Sequence, residues 1–342
     1  MRKAVFLLLI TLTACSGSRE TSESLTAEAL AENLDTPWSI SAAGDTIYLT
    51  ERPGAIVKIE DGKQIRMDVR LKHPLSKAAE AGLLGMELHP DFDENREAFA
   101  YYTYDDEGTS SNKLIKLKLQ GGTWSETETL LDRIPSGPFH QGGRMKIGPD
   151  QKLYVTAGDA AEESKAQDPE DIGGKILRLE LDGSVPEDNP DPDSPVYSLG
   201  HRNPQGMAWD NAGSLFSTEH GPDGKDEINR ITPGANYGWP KISGDQKGEG
   251  FLPPLLHSGD ESWAPSGAAL KGDILYFAGL RGEAVFAYDL KAEKLSKIAE
   301  GYGRIRDVYS RDNDLYFITN NTDGRGTANK GDDKLYKLQR DI

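Results

Sequence analysis

The chain has 342 residues, 36% hydrophobic and 28% charged, enough apolar mass for one large domain or two ordinary ones and too much for a disordered chain. Its 56 acidic residues outweigh 39 Lys and Arg, a formal net charge of −17, which excludes nucleic acid and anionic membrane surfaces as partners because binding phosphates takes an excess of cations. A small ligand suits this composition better.

The first element, MRKAVFLLLITLTACSGS, has two basic residues, an apolar run too short to span a bilayer, and Leu12-Thr13-Ala14-Cys15. It reads as an export signal, residues 1–15, with a lipobox in which Cys15 becomes the lipidated N-terminus. The expectation is therefore an exported protein, facing outside the cytoplasm, whose only membrane attachment is a lipid anchor. Cys15 is the only cysteine, so no intramolecular disulfide supports the fold. Residues 16–30 are expected to form a polar tether, with faint helical periodicity between Leu25 and Asn33, and residues 31–342 a single catalytic domain.

From there a short strand with a central aromatic recurs: DTIYLTE (Tyr48), FAYYTY (Tyr101), QKLYVTAGD (Tyr154), GSLFSTEHG (Phe216), DILYFAGL (Tyr276) and DLYFITNN (Tyr316). Several copies are followed, across a turn, by a second apolar strand, as in GAIVKIEDG, GKILRLELDG, DEINRITPG and GEAVFAYDLK. Repeats of roughly 40 to 60 residues, each built from short strands, stack radially into a β-propeller. The predicted fold is all-β, a six-bladed β-propeller of four-stranded antiparallel blades. A pair of β-sandwiches would need a central linker, and none is visible. The run DGSVPEDNPDPDSP, Asp182 to Pro195, cannot form a helix or a central strand and reads as a surface loop.

The loops beside the aromatic strands carry the candidate chemistry. FHQGGRMKIGPDQKLYVTAGDA holds His140 and Asp159 at the two ends of one turn-and-strand unit. A histidine that acts as general base needs a carboxylate to fix its tautomer and stabilise the imidazolium. A buried histidine satisfied by its neighbours is the competing reading. Arg202, Arg281, Arg304 and Arg306 all fall in such loops and would make a cationic centre for a multiply anionic ligand if the loops converge. The alternating spacing of Arg304 and Arg306 puts both on one face of a strand. GPDGKDE offers carbonyl oxygens at Gly221 and Pro222 with Asp223, Asp226 and Glu227 nearby, hard ligands suited to Ca²⁺, although the same residues make an ordinary turn.

Taken in order, HQGGRMKIGPDQKLYVTAGD, GHRNPQGMAWD, EHGPDGKDEINRITPGANYGWP, WAPSG and GRIRDV resemble the soluble quinoprotein glucose dehydrogenase and aldose sugar dehydrogenase family, from about Leu34 to Leu338. Members are six-bladed propellers that use pyrroloquinoline quinone (PQQ) and Ca²⁺. The resemblance implies that His140 removes the proton from the anomeric hydroxyl of an aldose while hydride passes to the quinone, that Asp159 orients His140, and that Arg202 stabilises charge on the quinone oxygen. It implies further that Gly221 and Pro222 hold Ca²⁺, and that Glu227 and the Tyr237 carbonyl hold a second, structural Ca²⁺. Asn203, Arg281, Arg304 and Arg306 would grip the cofactor, with Glu80 and His220 beside it. Glu80 and His220 stand where more distant glucose dehydrogenases carry glutamine, and Arg281 where they carry lysine. A carboxylate at Glu80 near an anionic cofactor needs a proton or an arginine partner. Long insertions that build a dimer face are missing, so the expected form is a monomer using aldoses and an external electron acceptor. A calcium-dependent lactonase and a non-catalytic carbohydrate-binding propeller share the scaffold and remain the alternatives.

Overall fold

Alternation of apolar and polar residues over four to eight positions, punctuated by Gly, Asp and Asn, gives short antiparallel strands, and the computed structural model, which describes residues 25–339, arranges them in six four-stranded blades. Blade 1 consists of Pro37–Ala43, Thr46–Glu51, Ala55–Glu60 and Lys63–Arg70, and blade 2 of Leu83–Leu88, Glu97–Asp106, Thr109–Gln120 and Thr123–Pro135. Blade 3 consists of Met145–Ile147, Leu153–Ala157, Lys175–Leu179 and Val196–Leu199, and blade 4 of Pro204–Trp209, Leu215–Glu219, Glu227–Ile231 and Leu256–His257. Blade 5 consists of Pro265–Lys271, Ile274–Gly279, Ala284–Asp289 and Lys294–Glu300. Blade 6 takes Ile305–Arg311, Asp314–Thr319 and Leu335–Leu338 from the end of the chain and is completed on its outer edge by Ala27–Ala31 from the beginning. Each aromatic marker falls in the second strand of its blade.

First strands of successive blades face one another around a central channel. The core is divided accordingly. Among the described residues six hydrophobic clusters bridge consecutive blades, from Tyr48, Ile56 and Met67 packed on Leu83, Ala100 and Trp124 round to Tyr316, Ile318 and Leu335 packed on Ile40, Leu49 and Val57, and Trp38 of blade 1 joins the cluster between blades 2 and 3. No blade could bury its apolar faces alone, so the ring closes on itself. The outer strands of blades 1 and 2 also pair in parallel at Val69–Trp124 and Arg70–Ser125, which removes two open edges.

Two expectations are corrected here. The faint helical pattern between Leu25 and Asn33 yields a strand, because Ala27–Ala31 gains partners along Leu335–Leu338 that a lone short helix could not offer. Residues 25–30 are therefore part of the folded domain rather than of the tether predicted for 16–30, and the Leu25 N–H already donates to the Ile298 carbonyl. The export signal, Cys15 and residues 16–24 lie outside the described residues. The Asp182–Pro195 segment is a loop between the third and fourth strands of blade 3, tied down where Arg178 bonds Asp188 and Asn189.

Candidate active site

In an antiparallel blade the start of the first strand and the end of the second lie at the same end. His140, Arg202, Asn203, Arg304 and Glu80 precede first strands, whereas Asp159, His220 and Arg281 follow second strands. The topology therefore delivers all of them to one mouth of the channel.

The imidazole and carboxylate meet there. His140 Nδ1 lies 2.7 Å from Asp159 Oδ1. An ionised carboxylate only accepts, so Nδ1 carries the proton and Nε2 keeps its lone pair. Asp159 is completely buried, and its other oxygen accepts the indole N–H of Trp239 at 2.8 Å. Its own N–H donates to the Arg202 carbonyl, which links the base to the next blade. The approach of the two loops needs Gly158, since a methyl group at that position would run into the His140 carbonyl oxygen.

Beside this pair stands a concentration of positive charge. Arg202 packs its guanidinium over Trp239, 5.3 Å from the ring centroid, and leaves Nε buried without a protein partner. Asn203 is buried and accepts the Gly142 N–H. A narrow cleft at the channel mouth is lined by Trp38, Arg52, Glu80, Gln205, His220, Arg306 and Arg325, among others, and a second recess shares His220 and Arg325 with it and adds Arg281 and Arg304. Arg304 is held by Asp323 at 2.8 Å and by the Leu280 carbonyl. Arg306 donates to Gln205 and Asn320. The register of blade 6 shifts between Ile305 and Asp307, so the simple alternation expected for Arg304 and Arg306 is broken by a bulge, yet both reach the mouth.

Electrostatics there favour an anionic guest. Burial first, then repulsion from Arg304, pulls Arg306 down to about 9, and burial above all lowers His220 to about 3, so that imidazole stays neutral with its Nε2 buried and unpartnered. His220 Nε2, orphaned beside an arginine-rich cleft, and the unpartnered Arg202 Nε leave polar atoms that a planar, multiply anionic ligand could satisfy.

Glu80 lines the cleft and has the arginine partner that its charge requires. Predicted among the cofactor-binding residues, it has both oxygens engaged inside the protein: Oε1 takes Arg325 Nη1 at 2.7 Å and Oε2 the backbone N–H of His140 at 2.9 Å. Arginine pairing is thus how this carboxylate is tolerated.

Gly221 and Pro222 form the expected turn after blade 4's second strand, fixed by Asp226, whose Oδ1 accepts the Gly221 N–H and whose Oδ2 accepts those of Trp263 and Ala264. Asp226 is therefore occupied as a structural acceptor. Glu227 accepts the Gly244 N–H and an Asn229 amide hydrogen, and burial followed by the nearby Glu219 pushes it up to about 8. Glu219 in turn pairs with His201, on which the Tyr237 ring stacks at 4.8 Å. Among the described residues no group of three or more His, Cys, Asp or Glu is placed to hold a metal, so a Ca²⁺ site at this turn would consist of backbone carbonyls.

Several members of the site escaped sequence reading. Trp239 was visible in GANYGWP, but nothing in that motif tied it to Asp159. Asp323 and Arg325 lie in a polar, glycine-containing loop with no motif at all.

Residues 34–335 match the sequence profile described as glucose/sorbosone dehydrogenase. The chain is 33% identical over 276 residues to quinoprotein glucose dehydrogenase B of Acinetobacter calcoaceticus, covering 71% of this chain and 58% of that relative, so it spans less than two thirds of that protein's length. It is 30% identical over 338 residues to the aldose sugar dehydrogenase YliI of Escherichia coli, covering 87% of this chain and 90% of the relative. The solved PQQ-bound form of the aldose sugar dehydrogenase of Streptomyces coelicolor superposes with a TM-score of 0.85 at 36% identity, over 92% of this chain and 98% of that one.

Proposed function

The chain belongs to the glucose/sorbosone dehydrogenase family, and we propose that it is a PQQ- and Ca²⁺-dependent dehydrogenase that oxidises aldoses at the anomeric carbon to lactones. One observation carries the reading: a carboxylate-backed imidazole and an arginine-rich cavity share a single channel mouth. PQQ, when bound, supplies the two-electron acceptor for the hydride leaving the anomeric carbon. His140 accepts the hydroxyl proton at Nε2, while Asp159, steadied by Trp239, holds Nδ1–H and stabilises the imidazolium. Arg202 places a preformed cation where negative charge grows. Arg281, Arg304, Arg306 and Asn203 would hold carboxylate and ring oxygens, with His220 as a neutral donor or acceptor. The Gly221 and Pro222 carbonyls would hold Ca²⁺, and Glu227 with the Tyr237 carbonyl a second, structural ion. The same proposal takes the protein to be exported and lipid-anchored at Cys15, monomeric, and served by an external electron acceptor.

The test is reconstitution. Cofactor-free protein given PQQ and Ca²⁺ reduces an artificial dye when an aldose is present, and His140→Ala lowers turnover by on the order of 10²-fold or more while PQQ still binds. Normal turnover by the mutant removes His140 as the base. Hydrolysis of a sugar lactone without any PQQ requirement points instead to the lactonase.

A further inference from the structure

His140 has a backbone φ of 66°, the left-handed region that a residue with a side chain adopts only when its surroundings enforce it. The enforcing contact is visible. Its N–H donates to Glu80 Oε2, and Glu80 Oε1 is gripped by Arg325, a residue 245 positions further along the chain. Glu80 enters from the loop before blade 2 and Arg325 from the loop after the second strand of blade 6, so the contact spans the channel mouth. Arg325 is itself well placed: its guanidinium lies 5.7 Å from the ring centroid of Phe139, and its N–H donates to Asp323, the partner of Arg304. Phe139, the residue before His140, is 43% exposed and lies against that guanidinium. Burial opposes ionisation of Glu80, yet the hydrogen bonds from Arg325 and from the His140 N–H outweigh it and hold the carboxyl below its usual range.

We propose that Glu80 and Arg325 are positioning residues for His140: Arg325 holds the Glu80 carboxylate in place, and that carboxylate fixes the left-handed backbone which presents the imidazole to Asp159. Neither residue touches the reacting atoms in this scheme. The catalytic consequence rests on His140 being the base, but the positioning itself is measured without cofactor.

Hydrogen–deuterium exchange of the His140 amide in cofactor-free protein gives that measurement. Glu80→Ala and Arg325→Met each speed exchange at this amide about tenfold, as expected for losing a charge-assisted hydrogen bond, and Arg325→Lys stays near wild type. Because Arg325 works through Glu80, the double variant exchanges no faster than Glu80→Ala alone. Additive effects, an unchanged His140 amide, or faster exchange spread evenly around the ring each overturn the proposal. Should Arg325→Met not fold, Arg325→Gln carries the same comparison. At saturating PQQ the same variants lower kcat, and Arg325→Lys restores it. Wild-type protein that shows the exchange pattern but oxidises no aldose leaves the clasp standing and removes the base assignment.

Discussion

At the residue scale, the His140–Asp159–Trp239 line decides what the imidazole can do. Asp159 has no access to water, so its charge is balanced only by the Nδ1–H, the indole N–H and the Ala161 N–H. Asp159→Asn replaces an obligate acceptor with a group that can donate, which allows the proton to move to Nε2 and silences the base. The expected result is a fall in kcat on the order of 10²-fold or more with PQQ binding intact, measured by reconstitution and dye reduction. Trp239→Phe removes one hydrogen bond to the same carboxylate and should cost only about tenfold. Similar kcat in Asp159→Asn and wild type would show that proton abstraction happens elsewhere. The pair was legible in the sequence because both residues sit in one unit of repeat. What could not be read was the third member, since Trp239 reaches Asp159 from 80 positions away through a different blade.

At the scale of elements, one buried cation ties first strands together across the hub. Arg144, 2% exposed, donates to Asp307 in blade 6 at 2.8 Å and to the Gln205 carbonyl in blade 4, and stacks over Trp38 of blade 1 at 4.1 Å. Asp307 also accepts the Ile40 N–H of blade 1. Arg144→Met leaves that carboxylate buried and uncompensated, so a loss of about 3–5 kcal/mol at pH 7 is expected in denaturant melts. Burial already raises the Asp307 carboxyl above its usual range in spite of Arg144, and without Arg144 it rises further. The native mutant then binds a proton that the unfolded chain does not, so its deficit should shrink as pH falls from neutral toward about 4. A deficit that is flat with pH would mean that Asp307 finds another partner. Strands of this kind announce themselves through alternation and aromatic markers, and six of them sufficed to count the blades. The stretch Ala27–Ala31 misled because its local pattern is weak and its conformation is dictated by Leu335–Leu338, more than 300 residues later.

At the scale of the whole molecule, the closure of the ring and the shape of the channel mouth are one problem. Ala27–Ala31 completes blade 6 from the opposite end of the chain, and Asn33 and Leu34 continue the contact with N–H donations to Gly331 and Asp333. Asp333 in turn accepts the backbone N–H of Asn321 and of Thr322, and so fixes the segment that leads to Asp323 and Arg325. The strand that seals the propeller therefore also braces the loop that supplies one side of the ligand cavity. Removing residues up to 34 exposes the Leu335–Leu338 edge, takes Ala31 and Leu34 out of the cluster with Ile318 and Leu335, and removes the N–H donors to Gly331 and Asp333. Thermal unfolding should drop by on the order of 5 °C, given that each kcal/mol moves a domain of this size by about 2 °C. The loss in PQQ affinity should exceed what destabilisation explains, because the brace on Asp323 and Arg325 goes first, and fluorescence titration well below the melting temperature measures it. Unchanged affinity in the truncated protein would show that the mouth holds its shape without the closing strand. The net charge of −17 is consistent with the same design, since in a chain acidic overall Arg52, Arg281, Arg304, Arg306 and Arg325 gather where the loops converge and offer an anionic guest a local attraction that the net charge does not.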